Sequence, residues 1–292
     1  MKVLVTGAGG QLGSEIRFIS GEFRDLEFSF VDKNAVDICD FEAVQKALQG
    51  FDALINCAAY TAVDKAQSEA DKAFEINEKV AFNLAKACEK FGVKLVHIST
   101  DYVFDGKAYQ PIAENTPTAP LSVYGESKLA GEKAILSQNL AHSCIIRTSW
   151  LWSEFGANFV KTIARLAKER NEISVVSDQI GSPTNARDLA RTICAILPKL
   201  DSIKDTEIFH YANAGVASWY DFAYEIVCLL NLSCKVRAIK SSEYKTAATR
   251  PFYSVLDTDK IKARFGIEIP HWRDSLAKTN LKNLIDFDKI NA

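Results

Sequence analysis

Hydrophobic positions along this chain follow two rhythms that alternate. Short apolar, β-rich runs predict strands: "KVLVT" (2–6), "EFSFV" (27–31), "ALINC" (53–57), "KLVHIST" (94–100), "CIIRTS" (144–149) and "IFHYANA" (208–214). Between them, stretches such as "EAVQKALQG" and "DKAFEINEKVAFNLAKACEKFG" carry a helical pattern. Strands that alternate with helices imply a parallel sheet with a helical layer on each face. Runs that are apolar throughout suit strands covered on both sides. The expected fold class is therefore α/β, a Rossmann-type doubly wound parallel sheet with a smaller, discontinuous C-terminal substrate lobe. Residues 1–150 are expected to form the nucleotide-binding domain, with a later return near 183–214. The rhythm weakens after about residue 150, and segments 151–182 and 215–292 are expected to build the lobe over the C-terminal edge of the sheet.

Composition narrows the partners. The chain has 292 residues, 48% apolar and 25% charged, with a net charge of -2. No broad basic face follows from that balance, so neither nucleic acid nor an anionic membrane is expected to bind. A phosphorylated small molecule needs only a few arginines or a helix N-terminus. No apolar run approaches the roughly 20 residues that span a bilayer. The opening "MKVLVTGAGG" reads as a strand entering a glycine turn rather than a signal peptide. The seven cysteines are scattered, with no C-x-x-C pair, and suit a reducing compartment. Cytoplasmic localisation is expected. His97, His142, His210 and His271 show no metal-ligand spacing.

Candidate chemistry begins at "VTGAGGQLG", which follows the first strand and opens a helix. Gly7, Gly10 and Gly13 form G-x-x-G-x-x-G, a turn that lets a pyrophosphate approach free N–H groups at a helix N-terminus. A turn used only for close packing would have the same spelling. Asp32 ends the second strand, where a carboxylate suits the ribose hydroxyls of NAD and repels a 2′-phosphate. NAD(H) is expected, and the neighbouring Lys33 could admit NADP(H). Ser99 and Thr100 lie at the C-terminal end of the fourth run, the edge where open parallel sheets bind ligands. In "VYGESKLAGEK", Tyr124 and Lys128 stand four apart and share a helix face. Of nine tyrosines, only Tyr124 has a lysine at that spacing.

A hydroxyl at the sheet edge, a Tyr–Lys pair on a later helix and a nucleotide turn upstream together resemble the extended branch of the short-chain dehydrogenase/reductase superfamily. The segments "NCAAYTAVDKAQSE", "HISTDYVFDG", "YGESKLAGEK", "RTSWLW", "VVSDQIGSPT" and "RPFYSVLD" are similar, in order and spacing, to the dTDP-4-dehydrorhamnose reductase family. That resemblance implies hydride transfer to the C4 ketone of a dTDP-deoxysugar, with a nucleotide sugar as substrate. It gives Tyr124 the role of proton donor. Lys128 would supply the ammonium that lowers the tyrosine pKa and binds the nicotinamide ribose, and Thr100 a hydrogen bond to the ketone. Gln11 and Leu12 join Gly10 at the pyrophosphate turn. Asp37 and Ile38 flank the adenine, and Ala58, Ala59 and Tyr60 line the dinucleotide. Asp101 contacts the sugar, and Trp150 forms an aromatic wall, although a core tryptophan would read the same way. Tyr102 and Phe104 could also reach the pocket, and Arg250 is suspected of pairing with a diphosphate.

Some members bridge two subunits with magnesium held by glutamates. Here Glu15 keeps one such position, but Arg187 stands at another, so a salt bridge is expected and no metal. Asp286 and Asp288 supply the only carboxylates of the tail. A homodimer remains compatible with the reading. Two alternatives stay open. One is a non-catalytic regulatory subunit, like the accessory subunit of methionine adenosyltransferase. The other is an epimerase or dehydratase of the same superfamily.

Overall fold

The computed structural model describes residues 1–281. Six parallel strands form the central sheet: β1 (Lys2–Thr6), β2 (Glu27–Phe30), β3 (Ala53–Asn56), β4 (Lys94–Thr100), β5 (Cys144–Thr148) and β6 (Glu207–His210). Five match the expected runs to within a residue at each end, and β6 overlaps the expected 208–214 only over 208–210. Their spatial order is β2–β1–β3–β4–β5–β6.

Burial explains why these runs carry so few polar residues. Successive side chains of a strand point to opposite faces, and here both faces are covered. Val3, Val5, Ala53, Ile55, Val96, Cys144 and Ile146 pack on one side with Ile16, Ile19, Leu189 and Ile193. The intervening Leu4, Leu54, Leu95 and Ile145 pack on the other with Val44, Leu48, Leu84, Cys88 and Ile135. The helices Gln11–Ile19 and Ala186–Ile196 thus cover one face. Helices Phe41–Leu48, Val80–Phe91 and Val123–Leu136 cover the other.

From β1 the chain steps outward to β2, then returns to place β3 on the opposite side of β1. The connections diverge there and leave a crevice at the C-terminal ends of β1 and β3, the usual ligand position in open α/β sheets.

The stretch expected as one long helix over 71–92 is interrupted. Ala70–Phe74 and Val80–Phe91 are α-helical, but Glu75–Lys79 forms a π-helical turn. Such turns are often found at functional sites. Here it carries the buried Asn77, which accepts from Tyr60 N at 2.9 Å and donates to Tyr60 O at 3.1 Å and Ser127 Oγ at 2.9 Å.

A second apolar cluster lies apart from the sheet. The helices Phe159–Glu169, Trp219–Leu229 and Trp272–Lys278 close around Trp152, Phe222 and Trp272. Strand Glu172–Val176 pairs in parallel with Lys235–Ile239 at its margin. Bridges from Ile112 to Leu256 and from Ile180 to Tyr253 tie the later loops together.

Candidate active site

The glycine turn owes its shape to crowding. Gly7 has φ of +65°, and a Cβ there would lie 2.6 Å from Ala58 N. A Cβ on Gly13 would lie 2.5 Å from the carbonyl oxygen of Gly7. Both contacts are with backbone, which cannot move aside as a side chain can, so neither position admits a larger residue. Gly10 caps the first helix with no side chain to bond its N–H groups, and no acidic residue stands in its first turn. The free donors and the positive end of the helix dipole leave room and charge for an anion. Gln11 Oε1 is buried without a partner beside them, and Leu12 packs below. A dinucleotide fits this cradle.

Other residues expected at the cofactor follow the same edge. Asp32 is exposed, and its Oδ1 accepts from Asn34 N at 2.9 Å and Ala35 N at 3.3 Å. Asp37 Oδ1 likewise accepts from Cys39 N at 2.9 Å, while Ile38 packs on the apolar layer below. Ala58 and Ala59 are half-buried just beyond β3. Tyr60 is buried, and its hydroxyl donates to Glu69 Oε2 at 2.9 Å. That hydroxyl is already engaged, and so are the backbone N–H and carbonyl of Tyr60, both bonded to Asn77.

The reactive helix starts with Ser122, whose Oγ accepts from Gly125 N at 3.2 Å. Its hydrophobic pattern is weak because both of its long sides are covered. Gly125, Ser127, Lys128, Gly131 and Glu132 are all buried. Tyr124 is partly buried, with its ring edge-on to Tyr102 at 5.5 Å. Its hydroxyl faces the Thr100 side chain. Burial pushes the phenol up to about 12, against the lowering influence of Thr100. The lowering expected from Lys128 does not prevail here. Lys128 Nζ instead donates to Ile98 O at 2.6 Å and lies 3.4 Å from His97 Nε2. Tyr124 therefore keeps its proton through the neutral range, the state a proton donor requires.

Thr100 ends β4 and donates from Oγ1 to Asp101 Oδ1 at 3.0 Å. Burial pushes the Asp101 carboxyl up to about 6, although the neighbouring hydroxyls of Ser254 and Thr100 oppose it. Asp101 Oδ2 is buried with no partner. A carboxylate oxygen placed so at the end of β4 has unused capacity for a hydroxyl.

Trp150 has φ of +48°, an uncommon conformation for a bulky residue. Its ring stacks on Trp219 with centroids 3.6 Å apart and planes 8° from parallel. Gly181 lies against the ring, where a Cβ would come within 2.6 Å of Trp150 Cε2. Trp150 is only partly buried, and the aromatic expected as a wall stands as one of a stacked pair. Phe104, by contrast, is buried beneath Arg147 and His210 and packs.

Arg250 does not stand free for a phosphate. It forms a two-pronged pair with Asp64, at 3.2 Å through Nη1 and 2.7 Å through Nη2. Glu15 is buried and accepts from Arg187 Nε at 2.8 Å and Ser153 Oγ at 2.7 Å. Arg187 also pairs with Glu154 at 3.1 Å. The cation opposite Glu15 forms the expected salt bridge. Asp286 and Asp288 lie outside the described residues.

Sequence reasoning passed over Trp219, Asn77, Asn56 and His97. The last two carried a signal, a polar side chain in the middle of an apolar run. Trp219 begins the cluster "WYDF" directly after the capping Ser218.

The chain was compared with known proteins. Residues 1–284 match the family model of the RmlD substrate binding domain. The dTDP-4-dehydrorhamnose reductase of Escherichia coli K12 is 40% identical over 289 residues, covering 94% of this chain and 95% of that one. A dTDP-4-dehydrorhamnose reductase structure from Clostridium acetobutylicum superposes with a TM-score of 0.90 at 38% identity, over 100% of both chains. The corresponding Bacillus anthracis enzyme, solved in complex with NADP, gives the same TM-score and identity over 96% of this chain and 99% of that one.

Proposed function

The chain belongs to the dTDP-4-dehydrorhamnose reductase family, and on that footing we propose that it reduces the C4 ketone of dTDP-4-dehydro-L-rhamnose to dTDP-L-rhamnose with Tyr124 as the proton donor. The chain is an NAD(P)-dependent oxidoreductase, and the reduced nicotinamide supplies the hydride when bound. Gly7, Gly10 and Gly13, with Gln11 and Leu12, would hold the pyrophosphate, and Asp32 the adenosine ribose. Lys128 would hold the nicotinamide ribose. As negative charge grows on the ketone oxygen, Tyr124 donates its proton there. Thr100 swings its O–H from Asp101 to the same oxygen, an oxyanion-type contact. Asp101 Oδ2 accepts from a sugar hydroxyl, and the Trp150–Trp219 pair bounds the sugar.

The observation that carries this reading is the meeting of Thr100 and Tyr124 at the C-terminal end of β4, on a helix whose Lys128 is buried beside them. A regulatory subunit would have no need of that meeting, and dehydratases and epimerases of this fold are similar at under 25% identity. The nucleotide sugar would be met in the cytoplasm. A second copy of the chain is the one macromolecular partner the reading allows.

Incubated with NADH and dTDP-4-dehydro-L-rhamnose, the protein should consume NADH in proportion to the sugar nucleotide added. No loss of absorbance would refute the activity. In parallel titrations Asp32 should make NADH bind tighter than NADPH, through contact with the ribose hydroxyls and repulsion of a 2′-phosphate. NADPH binding more than tenfold tighter would overturn that preference.

Metal dependence follows from Glu15. Its carboxylate is taken by Arg187 and Ser153, and no group of three or more metal-ligating side chains occurs among the described residues. Activity should survive EDTA. Loss that magnesium restores would show that other carboxylates assemble a site.

A further inference from the structure

Behind Lys128 a line of buried polar side chains crosses three strands of the sheet. Thr6 on β1, Asn56 on β3 and His97 on β4 are each at most 2% exposed. Polar groups in such a place are costly unless bonded, and here the bonds run in sequence. Their direction can be worked out from Ala58 N, which can only donate. It donates to Asn56 Oδ1 at 3.1 Å, and Thr6 Oγ1 reaches the same oxygen at 2.7 Å. The oxygen of the amide is thereby identified. Its Nδ2, a donor only, faces His97 Nδ1 at 2.9 Å.

Nδ1 of His97 must then accept. Burial, and next the charge of Lys128, hold this imidazole well below its ordinary range. The ring is neutral, so its one proton sits on Nε2. That atom is 3.4 Å from Lys128 Nζ. An N–H facing an ammonium sets donor against donor. The same N–H facing the lone pair of an amine makes a hydrogen bond.

We propose that His97 is a positioning residue for Lys128: held by Asn56 with its proton on Nε2, it turns an N–H toward Nζ and favours the neutral amine over the ammonium. The proposal rests on the reading of Lys128 as the partner of Tyr124. Other groups around the lysine give context. Glu132 on the same helix favours the ammonium but is paired with Arg147 of β5. Asp101, in the turn after β4, is bonded to Thr100. The charged side chains of the packed 63–66, 70–79 and 80–91 segments are exposed or half-buried. Burial pushes Lys128 down to about 8. The ammonium is therefore present below that pH and lost above it. Since kcat/KM reports the free enzyme, its alkaline limb should fall as pH rises through about 8.

Two measurements test the assignment. In histidine-labelled wild-type protein, nitrogen-15 NMR should show His97 protonated on Nε2 and bare on Nδ1, with the His97→Gln spectrum identifying its signals. Asn56→Asp replaces the amide with an acceptor of the same shape, so His97 must donate from Nδ1 and offer Nε2 to the ammonium. That variant should show the opposite tautomer, and its alkaline limb should move up by about one pH unit or more. A wild-type proton on Nδ1 would overturn the proposal. So would an inverted tautomer that leaves the alkaline limb in place. The wild-type spectrum decides even if the variant fails to fold. It also decides if no reductase activity is found, so failure of the functional reading and failure of this one are distinguishable.

Discussion

Replacing Tyr124 with Phe should slow single-turnover NADH oxidation by about 10²- to 10⁴-fold, the usual contribution of a positioned acid. That corresponds to roughly 3 to 5 kcal/mol of barrier at 1.36 kcal/mol per decade. The ring stays, and so does its edge-on contact with Tyr102. NADH affinity should change little, because the proposed grip on the cofactor lies in the glycine turn, Asp32 and Lys128. With the phenol held at about 12, wild-type Tyr124 is protonated at any working pH. The loss should therefore be constant from pH 6 to 8. Turnover within threefold of wild type would remove Tyr124 from the role of acid, whatever the affinity did.

The largest expected effect on stability lies about two turns further along the same helix. Glu132 and Arg147 are both buried and joined through two bonds, Nε to Oε1 at 2.9 Å and Nη2 to Oε2 at 2.7 Å. Ser99 Oγ adds a third bond to Oε1 at 2.5 Å. Arg147→Met leaves the Glu132 carboxylate inside the protein without its cation, which typically costs about 3–5 kcal/mol. Replacing both, Glu132→Leu with Arg147→Met, removes the stranded charge and should recover most of that loss. Urea titrations of the two variants give the comparison. A single variant within about 1 kcal/mol of wild type would mean that the pair is not sealed from water as described.

The fold was legible because of how a doubly covered strand must be written. Val3, Leu4 and Val5 go alternately to two helical layers, so no position between them is free to be polar, and the run stands out. The order of the strands was not legible, since nothing in "ALINC" says that it crosses back past β1. Tyr124 and Lys128 could be singled out because a helix face converts spacing into proximity, and Thr100 because it ends a strand at the edge where ligands bind. Arg250 could not be placed the same way, because its partner Asp64 is 186 positions away. Asn56 and His97 were hidden for a related reason. Each looks like a blemish in an apolar strand until the sheet sets the two side by side.

The apolar cluster around Trp152, Phe222 and Trp272 bears on how the chain is made. Its strand Glu172–Val176 finds its partner only at Lys235–Ile239, after the intervening chain has given β6 to the sheet. On the ribosome the glycine turn and most of its sheet emerge first, whereas Glu172–Val176 waits with open backbone groups for a mate not yet synthesised. Late pairing across so long a loop is slow. The nascent protein therefore passes through a stage in which the glycine turn is complete and the Trp152–Phe222–Trp272 cluster is not. In that interval the apolar faces of Ile163, Ile173 and Val175 are the surfaces a chaperone would meet.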